Sequence, residues 1–136
     1  MPEPIINVRH CVLCDDVRLE VGGKETIVGV YTAGMTVPRI PWLGLVCVWM
    51  AVIWSGDGQL ELEVRVSDPT NEVIGSVGGR GIAVWQGIES SLTFRGLTLD
   101  VKREGILNIE WRAGSAGWEC IRQFPVFVIR PSPTDA

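Results

Sequence analysis

The chain has 136 residues, of which 46% are hydrophobic and 21% are charged, and its net charge at neutral pH is −4. These proportions indicate one water-soluble globular domain, and the 12 scattered basic residues argue against binding to the phosphates of a nucleic acid. The longest apolar run, 45–54, is shorter than the roughly 20 residues that a membrane-spanning helix needs. We therefore expect one domain over 1–130 and a flexible tail over 131–136, with neither nucleic acid nor a membrane as a partner.

The N-terminus and the cysteines indicate a cytoplasmic location. Met1-Pro2-Glu3-Pro4 has no basic start, and no long apolar segment follows it, unlike a secretory signal. The four cysteines are then expected to be reduced thiols, as is usual in the cytoplasm.

The first part of the chain predicts a strand followed by a β-hairpin. A strand is expected over 5–13, and apolar and charged side chains then alternate over 16–21, which is the period of a half-buried strand. Gly22-Gly23 supplies the positive φ angles of a tight turn, so the hairpin is predicted over 15–31. One face of the first strand is predicted to carry Ile6, Val8, His10, Val12 and Cys14.

The middle of the chain predicts two further strands. Prolines interrupt 32–43, and the apolar run 45–54 is predicted to be a strand buried on both faces. Residues 59–66 alternate between apolar and charged, which predicts a strand with one buried face. Asp68-Pro69-Thr70-Asn71 then predicts a turn.

Glycines and changes of phase mark the C-terminal part. Five glycines make 72–88 a candidate mobile loop, with short strands at 73–74 and 82–85 as the alternative. The apolar phase slips at Arg95-Gly96, which predicts a β-bulge, and a turn is expected over 113–117 between two more strands. The last strand, 118–129, is predicted to carry on one face Trp118, Cys120, Phe124, Val126 and Val128. In total eight to ten short strands and no helical period predict an all-β fold, an immunoglobulin-like or jelly-roll-like antiparallel β-sandwich.

Cys11, Cys14 and His10 are the residues most suited to metal or covalent chemistry. The two cysteines have C-x-x-C spacing, which occurs in zinc and redox sites. However, a structural zinc usually needs a second such pair, and strand residues three apart point to opposite faces. We interpret both as packed cysteines, with a metal or redox role as the alternative. His10 is the only histidine, and we interpret it as a partly buried structural residue rather than a catalytic base.

Asp15, Asp16 and Asp68 are candidate metal ligands, because a sandwich can gather aspartates at strand ends on one rim. Calcium takes about six to eight oxygen ligands, so a cluster of loop carboxylates could bind it. The alternative is that these carboxylates accept hydrogen bonds from the backbone of turns. No other metal and no cofactor are predicted.

The tryptophans suggest a binding surface. Those expected to pack in the core are Trp49, Trp54 and Trp111. Trp42, Trp85 and Trp118 lie in less regular chain or beside a turn, where exposed aromatic side chains form protein-binding or sugar-stacking surfaces. We predict that these three form an exposed binding patch, with packing in the interior as the alternative.

Three segments near the start share a signature: Cys14-Asp15-Asp16-Val17-Arg18, Gly22-Gly23-Lys24 and Gly29-Val30-Tyr31. They resemble the opening of a family of small bacterial proteins of unknown function, members of which also occur in phages and prophages. Later segments similar to the family's mid-chain turn and closing hairpin are 68–73, 104–107 and 124–128. The resemblance implies a β-sandwich, and a virion location if the chain is phage-encoded, but it carries over no catalytic residue.

These observations favour a non-enzymatic protein-interaction or assembly module that binds a protein partner or itself. One alternative is a carbohydrate-binding or calcium-assisted ligand-binding module that uses the rim tryptophans and aspartates. A third is a virion or assembly component of a phage.

Overall fold

The computed structural model of the protein describes residues 5–56, 58–82 and 88–130, with the side chains of 80–82 excepted. Trp85 and the predicted tail 131–136 lie outside the described residues.

Nine β-strands and no helix make up the described part of the chain. The strands are β1 (Ile5–Leu19), β2 (Glu25–Val30), β3 (Met35–Val37), β4 (Trp42–Ser55), β5 (Gln59–Ser67), β6 (Val73–Ile82), β7 (Glu89–Val101), β8 (Gly105–Ala113) and β9 (Glu119–Val128). They form two sheets, ordered β2-β1-β4-β7 and β3-β9-β8-β5-β6. The predicted all-β sandwich is confirmed, although β3 pairs with β9 in parallel and the second sheet is therefore mixed. No helix in the described ranges could span a membrane.

The main hydrophobic core lies between the two sheets. Alternate residues of β5 point into it, as predicted: Leu60, Leu62, Val64 and Val66. On the other sheet β4 contributes Val46, Val48, Met50, Val52 and Trp54. Each such side chain stabilises the fold by roughly 1.5–3 kcal/mol through removal of apolar surface from water.

After Cys14, β1 leaves β4 and becomes one arm of a hairpin. It pairs with β4 as far as Cys14 and with β2 from there to Leu19. The turn between the two arms has Gly22 and Gly23 at φ angles of +85° and +79°, values that glycine adopts without steric cost. The predicted hairpin is confirmed, and residues 15–30 are called the hairpin below.

The hairpin lies across the outer face of the four-stranded sheet. Arg95 on β7 donates from Nη1 to the carbonyl oxygen of Val17 at 2.8 Å, and Trp49 on β4 donates from Nε1 to Oε1 of Glu25 at 3.3 Å. Between hairpin and sheet lies a second apolar cluster, made of Cys14, Val17 and Cys47 with Val12, Ile27 and Trp49 packed against them. Residues 46–54 of β4 are therefore mostly buried on both faces, which explains most of the apolar run at 45–54, whereas Leu45 at its start is 67% exposed.

A bulge in β1 changes the predicted faces of the first strand. Val8 pairs with Val52 and His10 with Ala51, so Arg9 is an extra residue in β1. The inserted residue reverses the alternation, as bulges do. Ile6 and Val8 therefore pack against the main core together with Cys11 and Leu13, whereas Val12 and Cys14 belong to the second cluster. The prediction of one face for Ile6, Val8, His10, Val12 and Cys14 was wrong for this reason.

Within the segment 72–88, predicted to be a candidate mobile loop, residues 73–82 form strand β6, and 83–87 lie outside the described residues. Strand β6 pairs with β5 along its length. A Cβ atom at Gly75 would overlap the carbonyl oxygen of Thr98 on β7. Glycine here lets β6 approach β7 closely, so this edge of the sandwich is tightly packed.

The bulge at Arg95-Gly96 is confirmed, because Val46 pairs with Leu97 and Val48 with Phe94. A further bulge, at Ile121 of β9, was not predicted. It reverses the alternation within β9, so Phe124, Val126 and Val128 pack in the core. Trp118 and Cys120 lie on the opposite face.

Candidate functional site

The outer face of the five-stranded sheet carries a network of cross-strand ion pairs. Arg112 Nη2 lies 2.6 Å from Glu63 Oε1, and Arg65 Nε lies 3.2 Å from Glu110 Oε1. These partners are directly opposite each other on β5 and β8. The indole of Trp118 covers both guanidinium groups. The Cζ atom of Arg65 lies 3.9 Å, and that of Arg112 4.8 Å, from a centroid of the indole rings. Such cation–π contacts each contribute roughly 0.5–1 kcal/mol at exposed sites.

A depression of ≈ 760 Å³ lies beside this network. Its lining comes from three strands and includes Glu61, Glu63, Ser76, Gly78 and Arg112. A Cβ atom at Gly78 would meet only ordinary contacts, at 3.6 Å from the carbonyl oxygen of Leu62 and 3.7 Å from Glu63 Cγ. The volume falls within the range of small-molecule sites, although the lining is mostly polar.

The other end of the same face carries exposed apolar side chains. Ile106 is 46% exposed, Phe127 50% and Ile129 58%, and Pro125 lies directly opposite Ile106 in the pairing of β8 with β9. Phe127 and Ile129 follow Pro125 at alternate positions and so share its face. We call Ile106, Pro125, Phe127 and Ile129 the apolar strip.

A charged pair borders the apolar strip. Arg130 Nη1 and Nη2 lie 2.8 and 3.0 Å from the two carboxylate oxygens of Glu104, and Glu104 also accepts a 2.7 Å hydrogen bond from the Val128 backbone N–H. The bonds from Arg130 and Val128 lower the pKa of Glu104 to about 2. The pair is therefore ionised at neutral pH, and the strip has a polar rim on this side.

The structure places the predicted tryptophans in different surroundings. Trp42 is partly buried at the start of β4 and packs against the main core. Trp118 lies over two arginines on the outer face of the five-stranded sheet, and Trp85 lies outside the described residues. Trp42 and Trp118 do not share a face. As predicted, Trp54 and Trp111 lie in the main core.

The structure also separates the three aspartates. Asp15 accepts a 2.8 Å hydrogen bond from the Tyr31 hydroxyl, and Asp16 lies 3.6 Å from Arg95. Asp68 is buried in the β5–β6 turn and pairs with Arg103. Across the described ranges, no group of three or more His, Cys, Asp or Glu side chains is arranged to hold a metal ion.

Cys11 and Cys14 point to opposite faces of β1, as their spacing predicts. Cys11 packs in the main core and Cys14 in the second cluster. Burial raises the pKa of Cys11 to about 12 and that of Cys14 to about 11, so both are thiols at neutral pH. His10 is exposed rather than partly buried, because it follows the Arg9 bulge on the outer face.

The apolar strip was not predicted from the sequence. Residues 124–129 are apolar in both strand phases, so periodicity alone does not say which phase is buried. The signal in the sequence was the excess of apolar residues at 124–129 over what one buried face requires. A strand that faces the core on one side only does not need apolar residues on its other side.

Comparison with models of protein families gives no match for this chain, and comparison with curated proteins gives none either. The resemblance to the bacterial and phage family therefore stays a prediction.

Proposed function

We propose that this protein is a non-enzymatic interaction module that binds a protein surface, that of a partner or of a second copy, through the apolar strip. The observation that carries the proposal is the grouping of three exposed apolar residues on one sheet face. Ile106 lies on β8, Phe127 on β9 and Ile129 directly after β9, and each is about half exposed. Scattered apolar residues are normal on a protein surface, but a contiguous patch indicates an interaction site.

The surroundings of the strip support a protein ligand. Interfaces combine an apolar centre, often aromatic, with a charged rim. Phe127 supplies the aromatic centre, and the Glu104–Arg130 pair supplies part of the rim. The strip is also next to the three-residue strand β3, since Thr36 pairs with Phe127. A partner could therefore extend over the end of the sheet.

The carbohydrate-binding alternative is less favoured. The depression has a suitable size, but Arg112 and Glu63 in its lining already form an ion pair. Trp118 stacks on arginines and so offers its covered face to no ligand. Calcium-assisted binding is less favoured still, because Asp15, Asp16 and Asp68 are dispersed. The virion or assembly role is one form of the proposed function.

The test uses the substitution Phe127→Glu, with Val21→Glu as the matched control. Val21 is 97% exposed at the tip of the hairpin and away from the strip, so both variants add a charge at an exposed apolar position. The solution mass is measured by light scattering over a range of concentrations. The set of proteins retained from a lysate by the immobilised chain is compared in parallel.

We expect Phe127→Glu to weaken self-association, or capture of a specific partner, at least tenfold, because a buried unpaired carboxylate opposes apolar contact. Val21→Glu should behave as the wild type. The proposal fails if the wild type and both variants have the same mass at every concentration and retain the same proteins.

A further inference from the structure

Two cysteines face each other across β1 and β4. Cys14 and Cys47 are direct partners in the antiparallel register, and both are free thiols. The Cys14 thiol donates to the carbonyl oxygen of Cys47 with a sulfur–oxygen distance of 3.7 Å. Both side chains belong to the cluster beneath the hairpin, with exposed fractions of 0% and 6%.

The pairing provides the geometry that a disulfide needs. Directly opposed residues of antiparallel strands have Cα atoms about 4.5–5.5 Å apart, and their side chains project from the same face. Disulfides span Cα separations of about 4.4–6.8 Å. The bond therefore requires only rotation of the two side chains, with little movement of the strands.

We propose that Cys14 and Cys47 form a redox site in which a low-molecular-weight disulfide, such as oxidised glutathione, generates a cross-strand disulfide. One thiol loses its proton and attacks a glutathione sulfur, which gives a mixed disulfide and releases one reduced glutathione. The second thiol loses its proton and attacks the protein sulfur of that mixed disulfide, which releases the second reduced glutathione. Two electrons pass from the thiols to the oxidant, and the two thiol protons end on the two molecules of reduced glutathione.

The hairpin controls access to this site. Val17, Ile27 and Trp49 cover the two sulfurs, and Glu25 attaches the hairpin to the sheet through Trp49 and Ser91. Oxidation therefore requires transient opening of the hairpin. The high pKa of Cys14, caused first by burial and then by Cys47, also makes the closed state unreactive.

The other two cysteines offer a competing reaction. Cys120 is exposed, and it lines a surface cleft together with Cys11. These two residues lie on strands of different sheets and have no direct register. The double variant Cys11→Ser/Cys120→Ser removes this competition and leaves only the proposed pair.

The experiment treats the folded double variant with oxidised glutathione, quenches the reaction with an alkylating reagent and measures the intact mass and the free thiols. We expect both thiols to be lost, with a mass decrease of about two hydrogens per chain. Digestion should then give the peptides that contain Cys14 and Cys47 linked together, and dithiothreitol should separate them. Retention of both thiols, a stable glutathione adduct, or a disulfide that forms only in denaturant would overturn the proposal.

A second variant tests the role of the hairpin. Adding Glu25→Ala to the double variant removes the contacts with Trp49 and Ser91, so we expect the disulfide to form several-fold faster. The matched control is Glu20→Ala, since Glu20 is exposed beside the hairpin turn. Equal rates for Glu25→Ala and Glu20→Ala would show that the hairpin does not control access.

Discussion

The side chain of Asp68 is 1% exposed and holds the turn between β5 and β6 in place. Its Oδ1 accepts hydrogen bonds from the Thr70 backbone N–H at 2.8 Å, the Thr70 hydroxyl at 2.6 Å and the Glu72 backbone N–H at 3.1 Å. Its Oδ2 accepts from Arg103 of the β7–β8 connection. One carboxylate thus orders a turn and joins two connections, as the backbone-bonding interpretation of this residue predicts.

We expect Asp68→Ala to lower the free energy of unfolding by about 3 kcal/mol at pH 7, because two backbone N–H groups and Arg103 lose their acceptor. Asp100→Ala is the control. Asp100 is a half-exposed aspartate, and its replacement should change stability by less than about 0.5 kcal/mol. Urea unfolding followed by tryptophan fluorescence measures both. A similar small change in the two variants would contradict the anchoring role.

The same carboxylate makes stability depend on pH. Burial alone would raise the pKa of Asp68, but the hydrogen bonds from Thr70 and Glu72 and the charge of Arg103 outweigh it, so the pKa lies below its ordinary value. A lowered native pKa stabilises the fold above the unfolded pKa of about 4, and this stabilisation is lost as the pH falls through the native value. The difference in free energy of unfolding between the wild type and Asp68→Ala should therefore be largest at neutral pH, including pH 7, and should decrease below about pH 4.

At the scale of one element, β6 shows how glycine serves packing rather than flexibility. Gly75 lies against β7, where a Cβ would overlap the Thr98 carbonyl oxygen and lie 3.1 Å from a Leu99 methyl carbon. Gly78 is on the outer side of the same strand, where a Cβ has room. The fold should therefore tolerate an added methyl group at Gly78 but not at Gly75.

We expect Gly75→Ala to lower the free energy of unfolding by about 2–3 kcal/mol, because β6 must move away from β7. Gly78→Ala should be neutral or stabilise by up to about 1 kcal/mol, because it reduces the freedom of the unfolded chain. Thermal and urea unfolding of the two variants provide the comparison. Equal effects at both positions would show that β6 and β7 are not in close contact.

At the scale of the whole molecule, the fold has a third layer over part of the sandwich. The hairpin covers part of the outer face of the four-stranded sheet and is attached by the second apolar cluster and by Arg95 and Glu25. The five-stranded sheet leaves its outer face open, and the apolar strip lies there. The hairpin therefore covers part of one outer face, whereas the chain leaves the other outer face open.

We expect Val17→Asp to detach the hairpin while the main core stays folded, because a carboxylate at a 2% exposed position cannot remain in the second cluster. Hydrogen exchange should rise over 15–30 and stay slow in β5 and β8. Leu19→Asp, two residues further along at 75% exposure, is the control and should leave exchange unchanged. Uniformly faster exchange after Val17→Asp would contradict a separately attached hairpin.

Part of the fold and little of the site could be predicted from the sequence. The strand at 59–66, the Gly22-Gly23 turn and the Arg95-Gly96 bulge are determined locally, since alternation, positive φ and a phase slip each involve neighbouring residues. The apolar strip could not be predicted, because residues 124–129 are apolar in both phases and only the pairing of β8 and β9 decides which phase faces the core.

The sequence by itself determined the class of fold and the composition of the strands through their period of two. Tertiary structure decided which face of each strand is buried, because single inserted residues at Arg9 and Ile121 reverse the alternation at sites that carry no local signal. It also decided that the hairpin covers part of β4 and that Gly75 of β6 lies against β7. Both features depend on contacts between residues far apart in the chain, and a local sequence pattern does not reveal the free energy of such contacts.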